Sequence, residues 1–259
     1  MIQGFYRVLI ELTNGKWSSF LLRKLAQSKV SRLLVPSFAK VYKINLDEMA
    51  KPIKEFPTLH DFFIRKLKVD ARTINQEPQS VVSPVDAVVE DMGTISPDLV
   101  LTVKGKNYSV IDMLGKREKA DQYSNGTYVL LYLSPSHYHR IHSPLTGKVI
   151  GQWTLGSKSY PVNRYGLKYG KEALSKNYRK ILEVEHNHGT AAIVKVGAMF
   201  VNSIETIHKG EYVKKGEEIA YFTFGSTVIL LFNQNSFVPN TNLQLPMDIK
   251  VGETLGYFQ

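Results

Sequence analysis

The chain has no cysteine among its 259 residues. That excludes a disulfide scaffold, a thiol nucleophile, and any zinc or iron–sulfur site held by thiolates. It has no run of about 18 apolar residues, the length a membrane-spanning helix needs, so no transmembrane helix is expected. It also lacks an N-terminal apolar stretch closed by small residues. Arg7 and Glu11 interrupt that region, which argues against a cleaved signal peptide. Acids are scarce at the start. Residues 1–43 hold eight Lys and Arg against Glu11 alone, a local balance of +7 within a whole-chain charge of +10. No recognition motif for nucleic acid accompanies that charge, so nucleic acid is not expected as a partner. What the chain does have is 43% hydrophobic and 22% charged residues, the composition of a packed globular protein.

The basic N-terminal stretch is apolar at helical spacing: Phe5, Val8, Leu9 and Leu12, then Trp17, Phe20, Leu21, Leu22 and Leu25. A basic amphipathic helix suits the surface of an anionic bilayer, and it equally suits packing on its own domain. Residues 1–75 read as a helical, membrane-facing region. Leu46 to Ala50 and Thr58 to Leu67 are short helical candidates, the second with Thr58 as N-cap. Residues 71–80 are polar and contain Pro78, a connector. Residues 76–259 read as a β-rich domain. Short β-branched and aromatic runs there alternate with Gly, Pro and Asn, with one helical insert near Lys171–Ser175.

Two internal echoes sharpen this. Val213–Phe222 reads VKKGEEIAYF and Ile249–Phe258 reads IKVGETLGYF, aligned without gaps. Ser83-Pro84-Val85 is echoed by Ser143-Pro144-Leu145. Lys-Gly-Glu turns entering an apolar strand are similar to those of biotinyl and lipoyl carrier hammerheads. The fold class is therefore α+β, mostly β: a barrel-like β-sandwich with quasi-symmetric hammerhead halves and an N-terminal helical region.

Three constellations carry chemistry. Phe224-Gly225-Ser226-Thr227 lies between two apolar β runs. In a strained Gly-Ser turn the hydroxyl can attack the preceding carbonyl, and the resulting ester can eliminate to dehydroalanine and hydrolyse to a pyruvoyl group. The same tripeptide also occurs in ordinary turns. The segment 133–144, LSPSHYHRIHSP, gathers His137, His139 and His142 within six residues. Such a cluster can be structural, can supply a general base, or can hold a metal through His137 and His139. Asp86 interrupts the apolar run Val81–Val89. It either caps a turn or orients a histidine, as in a Ser-His-Asp relay.

In combination these segments resemble the phosphatidylserine decarboxylase family. The resemblance runs over nearly the whole chain. It is carried by LHDFFIR at 59–65 with Arg72 downstream, SPVDA at 83–87, YLSPSHYHRIHSP at 132–144, YPVNRYG at 160–166, KNYR at 176–179, VGAMFVNSIET at 196–206 and KGEEIAYFTFGSTVILLF at 215–232. The segment NRYGLKYGKEALSKNYR is similar to the Gram-positive bacterial branch. Two departures stand out. Asp86-Ala87 replaces the family's usual Asp-Gly, and Phe224 replaces the common Leu before Gly-Ser-Thr. Neither removes a reacting group.

The resemblance implies self-cleavage between Gly225 and Ser226. The products are a β chain of residues 1–225 and an α chain of residues 226–259 headed by a pyruvoyl group made from Ser226. In the implied roles, His142 is the general base on Ser226, and Asp86 holds the imidazole tautomer. His139 positions the substrate carboxylate or supplies a proton in decarboxylation. No metal is implied. The expected substrate is phosphatidylserine, the cofactor is the covalent pyruvoyl group, and the location is the cytoplasmic face of the cell membrane, held peripherally. The two chains are expected to stay associated, and a homo-oligomer is left open. The competing readings are a non-enzymatic biotinyl- or lipoyl-like carrier and a serine hydrolase built on Ser226, His142 and Asp86. The carrier reading lacks a lysine at a suitable hairpin tip, and the hydrolase reading lacks a Gly-x-Ser-x-Gly elbow.

Overall fold

The computed structural model describes residues 16–160, 162, 172–198, 204–223 and 226–259. The first half of the expected amphipathic helix (Phe5, Val8, Leu9 and Leu12), part of the 160–171 segment, and Phe224-Gly225 lie outside these residues.

The helical region begins with α1 (Lys16–Gln27) and continues through α2 (Val35–Val41) and α3 (Leu59–Phe63). Thr58 caps α3 as expected: the Asp61 N–H donates to Thr58 Oγ1 at 3.0 Å, and Thr58 Oγ1 donates to Asp61 Oδ2 at 2.6 Å. Leu46–Ala50 is not a helix. Its backbone bonds go across to the 66–68 segment instead, from Ala50 N–H to Lys66 O (3.0 Å) and from Lys68 N–H to Glu48 O (2.8 Å). Met49 also bridges Leu67 in antiparallel fashion, so this segment's backbone is taken up by that pairing. Val35, Phe38, Met49, Phe56, Phe62 and Phe63 form a small core of their own here.

The β region holds β1 (Ser80–Val82), β2 (Ala87–Thr94), β3 (Val100–Val103), β4 (Lys106–Ser109), β5 (Thr127–Leu133), β6 (Arg140–His142), β7 (Gly147–Leu155), β8 (Arg179–His186), β9 (Gly189–Gly197), β10 (Ile204–Thr206), β11 (Tyr212–Val213), β12 (Glu218–Phe222), β13 (Ser226–Phe232), β14 (Phe237–Pro239), β15 (Met247–Ile249) and β16 (Thr254–Phe258). Short helices α4 (Val110–Leu114), α5 (Arg117–Ala120) and α6 (Ala173–Lys176) complete it, α6 being the expected insert. The central sheet has the order β11-β7-β8-β9-β13-β5-β2-β15. One face packs on two three-stranded sheets, β1-β16-β14 and β10-β12-β6. The other face is covered by the β3–β4 hairpin and α4 to α6. The protein is α+β and mostly β, but its sheets do not close into the expected barrel. The central sheet is covered on both faces, so it needs no closure to hide its apolar surface.

The expected quasi-symmetry is visible in hydrogen bonds. Gly216 N–H donates to Ser143 O at 2.8 Å, and Gly252 N–H donates to Ser83 O at 3.0 Å. Lys214 N–H and Lys250 N–H donate at 2.9 Å to the carboxylates of Glu217 and Glu253, closing each Lys-x-Gly-Glu turn. Ser143 Oγ donates to Leu145 O, and Ser83 Oγ to Val85 O. The halves then clasp each other: His142 N–H donates to Pro84 O (2.8 Å) and Val82 N–H to Pro144 O (3.0 Å). Both sequence echoes therefore belong to one pseudo-twofold arrangement, with β9 and β13 paired across its centre.

Gly216 and Gly252 have φ of +82° and +89°, a region costly to residues with a Cβ. A Cβ on Gly252 would lie 2.4 Å from Thr73 O and 2.8 Å from Ile74 Cα. On Gly216 it would meet only the Ile74 side chain, at 2.9 Å. Gly252→Ala should therefore cost more than the roughly 1–2 kcal/mol of the dihedral alone, and Gly216→Ala about that amount. Urea unfolding of both variants tests the ranking; equal losses would refute it.

Candidate active site

Strands β9, β13 and β5 lie side by side in the central sheet. Their continuations β10, β12 and β6 lie side by side in the second sheet in the same order. Three neighbouring chain segments thus turn the same corner. On one side of the corner Ser226 pairs with Leu133 and Gly197. On the other side Phe222 N–H donates to His139 O at 2.9 Å. Ser226 and Phe222 thus lie beside the two ends of the 133–139 segment, which puts the histidine loop next to Ser226.

Ser226 opens β13, in which every residue is buried. Strand alternation places it on the face of Val228 and Leu230. Its Oγ and the Thr227 Oγ1 are buried without a hydrogen-bond partner among the described residues. An unpaired buried hydroxyl typically costs about 1–3 kcal/mol.

His142 ends β6. Its Nδ1 sits 2.8 Å from Gly216 O, and its Nε2 sits 3.4 Å from Tyr138 Oη. A carbonyl only accepts, so Nδ1 carries the proton and Nε2 keeps its lone pair. Burial pulls the imidazole below its usual pKa, and the Gly216 bond together with the fields of Glu218 and Asp86 opposes this. His142 is thus a neutral base with a defined tautomer. His139 is fully buried and tilted on Phe63, with ring centroids 3.9 Å apart. Its Nδ1–H donates to His137 O at 2.8 Å, and its Nε2 has no partner. Burial, then the charges of Arg65 and His137, hold it well below the usual value. His137 Nδ1 accepts from Ser134 N–H at 3.0 Å, so it braces the loop.

Asp86 is buried but does not bond His142. Arg72 grips it through Nε (2.8 Å) and Nη2 (2.5 Å), and Val251 N–H donates to Oδ1 at 2.9 Å. The expected tautomer-holding contact is made here by Gly216 O. The reason is local: the turn that presents Gly216 already stands against Ser143 and occupies Nδ1. Asp86 reaches the imidazole as a charge. Arg72 also bonds Glu48 at 2.8 Å and so ties the helical region to the site. The sequence reading gave no role to Gly216, Tyr138 or Arg65. Arg65 stood in the quoted LHDFFIR segment, which was the available signal.

The model of the phosphatidylserine decarboxylase family matches residues 59–257. The chain belongs to that family. A phosphatidylserine decarboxylase proenzyme of Geobacillus sp. strain WCH70 is 55% identical over 259 residues, covering 100% of both chains. The proenzyme of Geobacillus kaustophilus is 57% identical over 258 residues, covering 100% of this chain and 98% of its own. That of Anoxybacillus flavithermus is 55% identical over 257 residues, covering 99% and 97%. The matched region begins at α3 and so takes in the whole corner.

Arg72 and Asp86 have side chains only 10% and 8% exposed. Removing one partner of such a pair strands a buried charge at about 3–5 kcal/mol. Arg72→Met should lose that much stability, and adding Asp86→Asn should recover a large part. Urea melts of the two single variants and the double variant test this; additive losses would show that the pair is not coupled.

Proposed function

We infer that the protein is a self-processing phosphatidylserine decarboxylase, releasing CO₂ from phosphatidylserine to leave phosphatidylethanolamine. The observation that carries this reading is the buried, unpartnered Ser226 hydroxyl at a corner faced by two neutral histidines.

In this reading His142 Nε2 takes the Ser226 proton as Oγ attacks the Gly225 carbonyl. Gly216 O holds the ring so that Nε2 stays basic, and the Asp86 charge stabilises the imidazolium that forms. The hydroxyl of Tyr138 turns away from Nε2 as the base acts. The peptide bond 225–226 gives way to an ester. Loss of the residue-226 Cα proton then breaks the Cβ–Oγ bond, leaving Gly225 as the new C-terminus. The dehydroalanine left at residue 226 tautomerises to an imine, which water hydrolyses with loss of ammonia, so residue 226 becomes the pyruvoyl end of the 226–259 chain, whose ketone supplies an electron sink for decarboxylation. His139 Nε2, neutral and unpaired, is the group for holding or moving a proton at the substrate's α carbon. Burial of the corner keeps water from competing for that proton.

The alternatives fit less well. Ser226 opens a β-strand rather than sitting in the Gly-x-Ser-x-Gly elbow a hydrolase of that kind needs. The Lys215 ammonium is bound to Ser80 O and Oγ at 2.9 Å, so it is not a free carrier lysine.

Substrate delivery from a bilayer suits the helical region. Among the described residues no helix is long and apolar enough to cross a membrane. Yet Phe20, Leu21, Leu25, Val30 and Leu33 are exposed there, Leu33 by 80%, alongside Lys24 and Lys29. This pattern supports peripheral docking on an anionic leaflet, which we assign to the cytoplasmic face.

Ser226→Ala should remain a single 29.3 kDa chain. His142→Ala should also stay uncleaved, whereas His139→Ala should cleave yet release little CO₂. Denaturing gels and CO₂ release test the division, and equal cleavage by both histidine variants would sink it. With the His142 pKa pulled below 6.5, the cleavage rate should stay flat as pH falls to about 6.5 and drop only below it.

Replacing Arg23, Lys24 and Lys29 with Gln should weaken binding to anionic vesicles by up to about 1 kcal/mol per charge at low salt, and by far less at high salt. Cleavage should be unchanged. Co-sedimentation across a salt series checks this; identical binding at low salt would place the contact elsewhere.

A further inference from the structure

Arg65 is a buried cation whose charge is not matched by a bonded anion. It is 4% exposed and follows α3 by two residues. Its Nη2 donates to two carbonyls of the histidine loop, Ser136 O (3.0 Å) and His137 O (3.2 Å). Its guanidinium lies over the Phe62 ring, 5.5 Å from the centroid. Nε and Nη1 are buried without a hydrogen-bond partner, which leaves three N–H donors unused. The nearby carboxylates are already committed. Asp86 is held by Arg72 and Val251 N–H, Glu48 by Arg72 and Lys250, and Glu218 by Arg140. Burial draws Arg65 down to about 10, so it remains charged at neutral pH.

A desolvated guanidinium with free donors is costly until an anion arrives. Its neighbours are the groups the decarboxylase reading already uses. The charge of Arg65 bears on His139 and His137. Phe63, two residues before it, carries the His139 ring. Arg140 Nε donates to Ile64 O at 3.0 Å, so the residue before Arg65 is tied to β6, directly after the histidine loop. The free donors and the unpaired His139 Nε2 thus belong to one corner. The substrate inferred above brings two oxyanions, a carboxylate and a phosphodiester.

We propose that Arg65 is the oxyanion-binding residue of the decarboxylation site, taking the carboxylate or the phosphodiester of the bound phospholipid through its Nε and Nη1 donors. The proposal rests on the decarboxylase reading. It differs from a structural role, for which the two loop carbonyls on Nη2 would suffice.

The test uses the mature enzyme with Arg65→Gln and Arg65→Lys. Each variant is first checked for cleavage into the two chains. Binding of short-chain phosphatidylethanolamine, which has the phosphodiester but no carboxylate, is measured by calorimetry. KM and kcat are measured for short-chain phosphatidylserine. Losing a charge-assisted hydrogen bond should weaken binding at least about tenfold. Weakening of both lipids by Arg65→Gln assigns the phosphodiester; a raised KM for phosphatidylserine alone assigns the carboxylate. Partial recovery in Arg65→Lys supports either assignment. Unchanged phosphatidylethanolamine affinity together with unchanged KM overturns the proposal. Failure of both variants to cleave also overturns it, because the residue would then serve the loop alone. If the parent releases no CO₂ from phosphatidylserine, it is the decarboxylase reading that falls.

Discussion

Backbone pairing has to be kept through a bend, and the rest of the structure depends on that constraint. A buried strand cannot leave its N–H and C=O groups unmatched. Here three adjacent strands turn together, so β9-β13-β5 hands its pairing on to β10-β12-β6. The bend costs regular ladder bonds over only a few residues. Among the described residues these are the histidine loop and Thr223. Irregular backbone inside a protein is where reactive geometry can be held, and the fold supplies it at the one corner where three segments change sheet.

The pseudo-twofold arrangement explains why that corner is rigid although its chain is irregular. Each Ser-Pro turn is locked by a Lys-x-Gly-Glu turn, and each half lends a donor to the other. The two copies have diverged in what the locked positions carry. Val82 and His142 donate their N–H groups equivalently to Pro144 and Pro84. One is an apolar core residue; the other presents an imidazole against Gly216 O. A structural clasp in one half is thus the mount for the proposed base in the other.

Much of this was legible in the sequence, and the failures have physical causes. The Thr58 cap read correctly, because a capping side chain acts within its own turn. The two echoes predicted a repeated turn, and Gly216 and Gly252 adopt it. The bend itself was invisible. β6, β10 and β14 are three-residue strands whose identity comes from their partners rather than from propensity. Asp86 was readable as a costly carboxylate in an apolar run, but its main partner, Arg72, lies in a connector that reads as loop. Gly216 O is a main-chain atom, so no side-chain pattern could announce it as the partner of His142.

The position of Ser226 has a consequence for a break at 225–226. β13 is the fifth strand of eight in the central sheet, paired over seven residues with β5 on one side and with β9 on the other. Val228, Ile229, Leu230, Leu231 and Phe232 are fully buried. Pulling that strand out would expose apolar surface worth on the order of 10 kcal/mol, besides its ladder bonds. The chain beyond it is also tied in, since β15 pairs with β2, and β16 with both β1 and β14. Strand backbone from Ser226 onward stays pinned after such a break. A new N-terminus at residue 226 would therefore stay where the serine stands, held by the same sheet that brought the serine to the histidines.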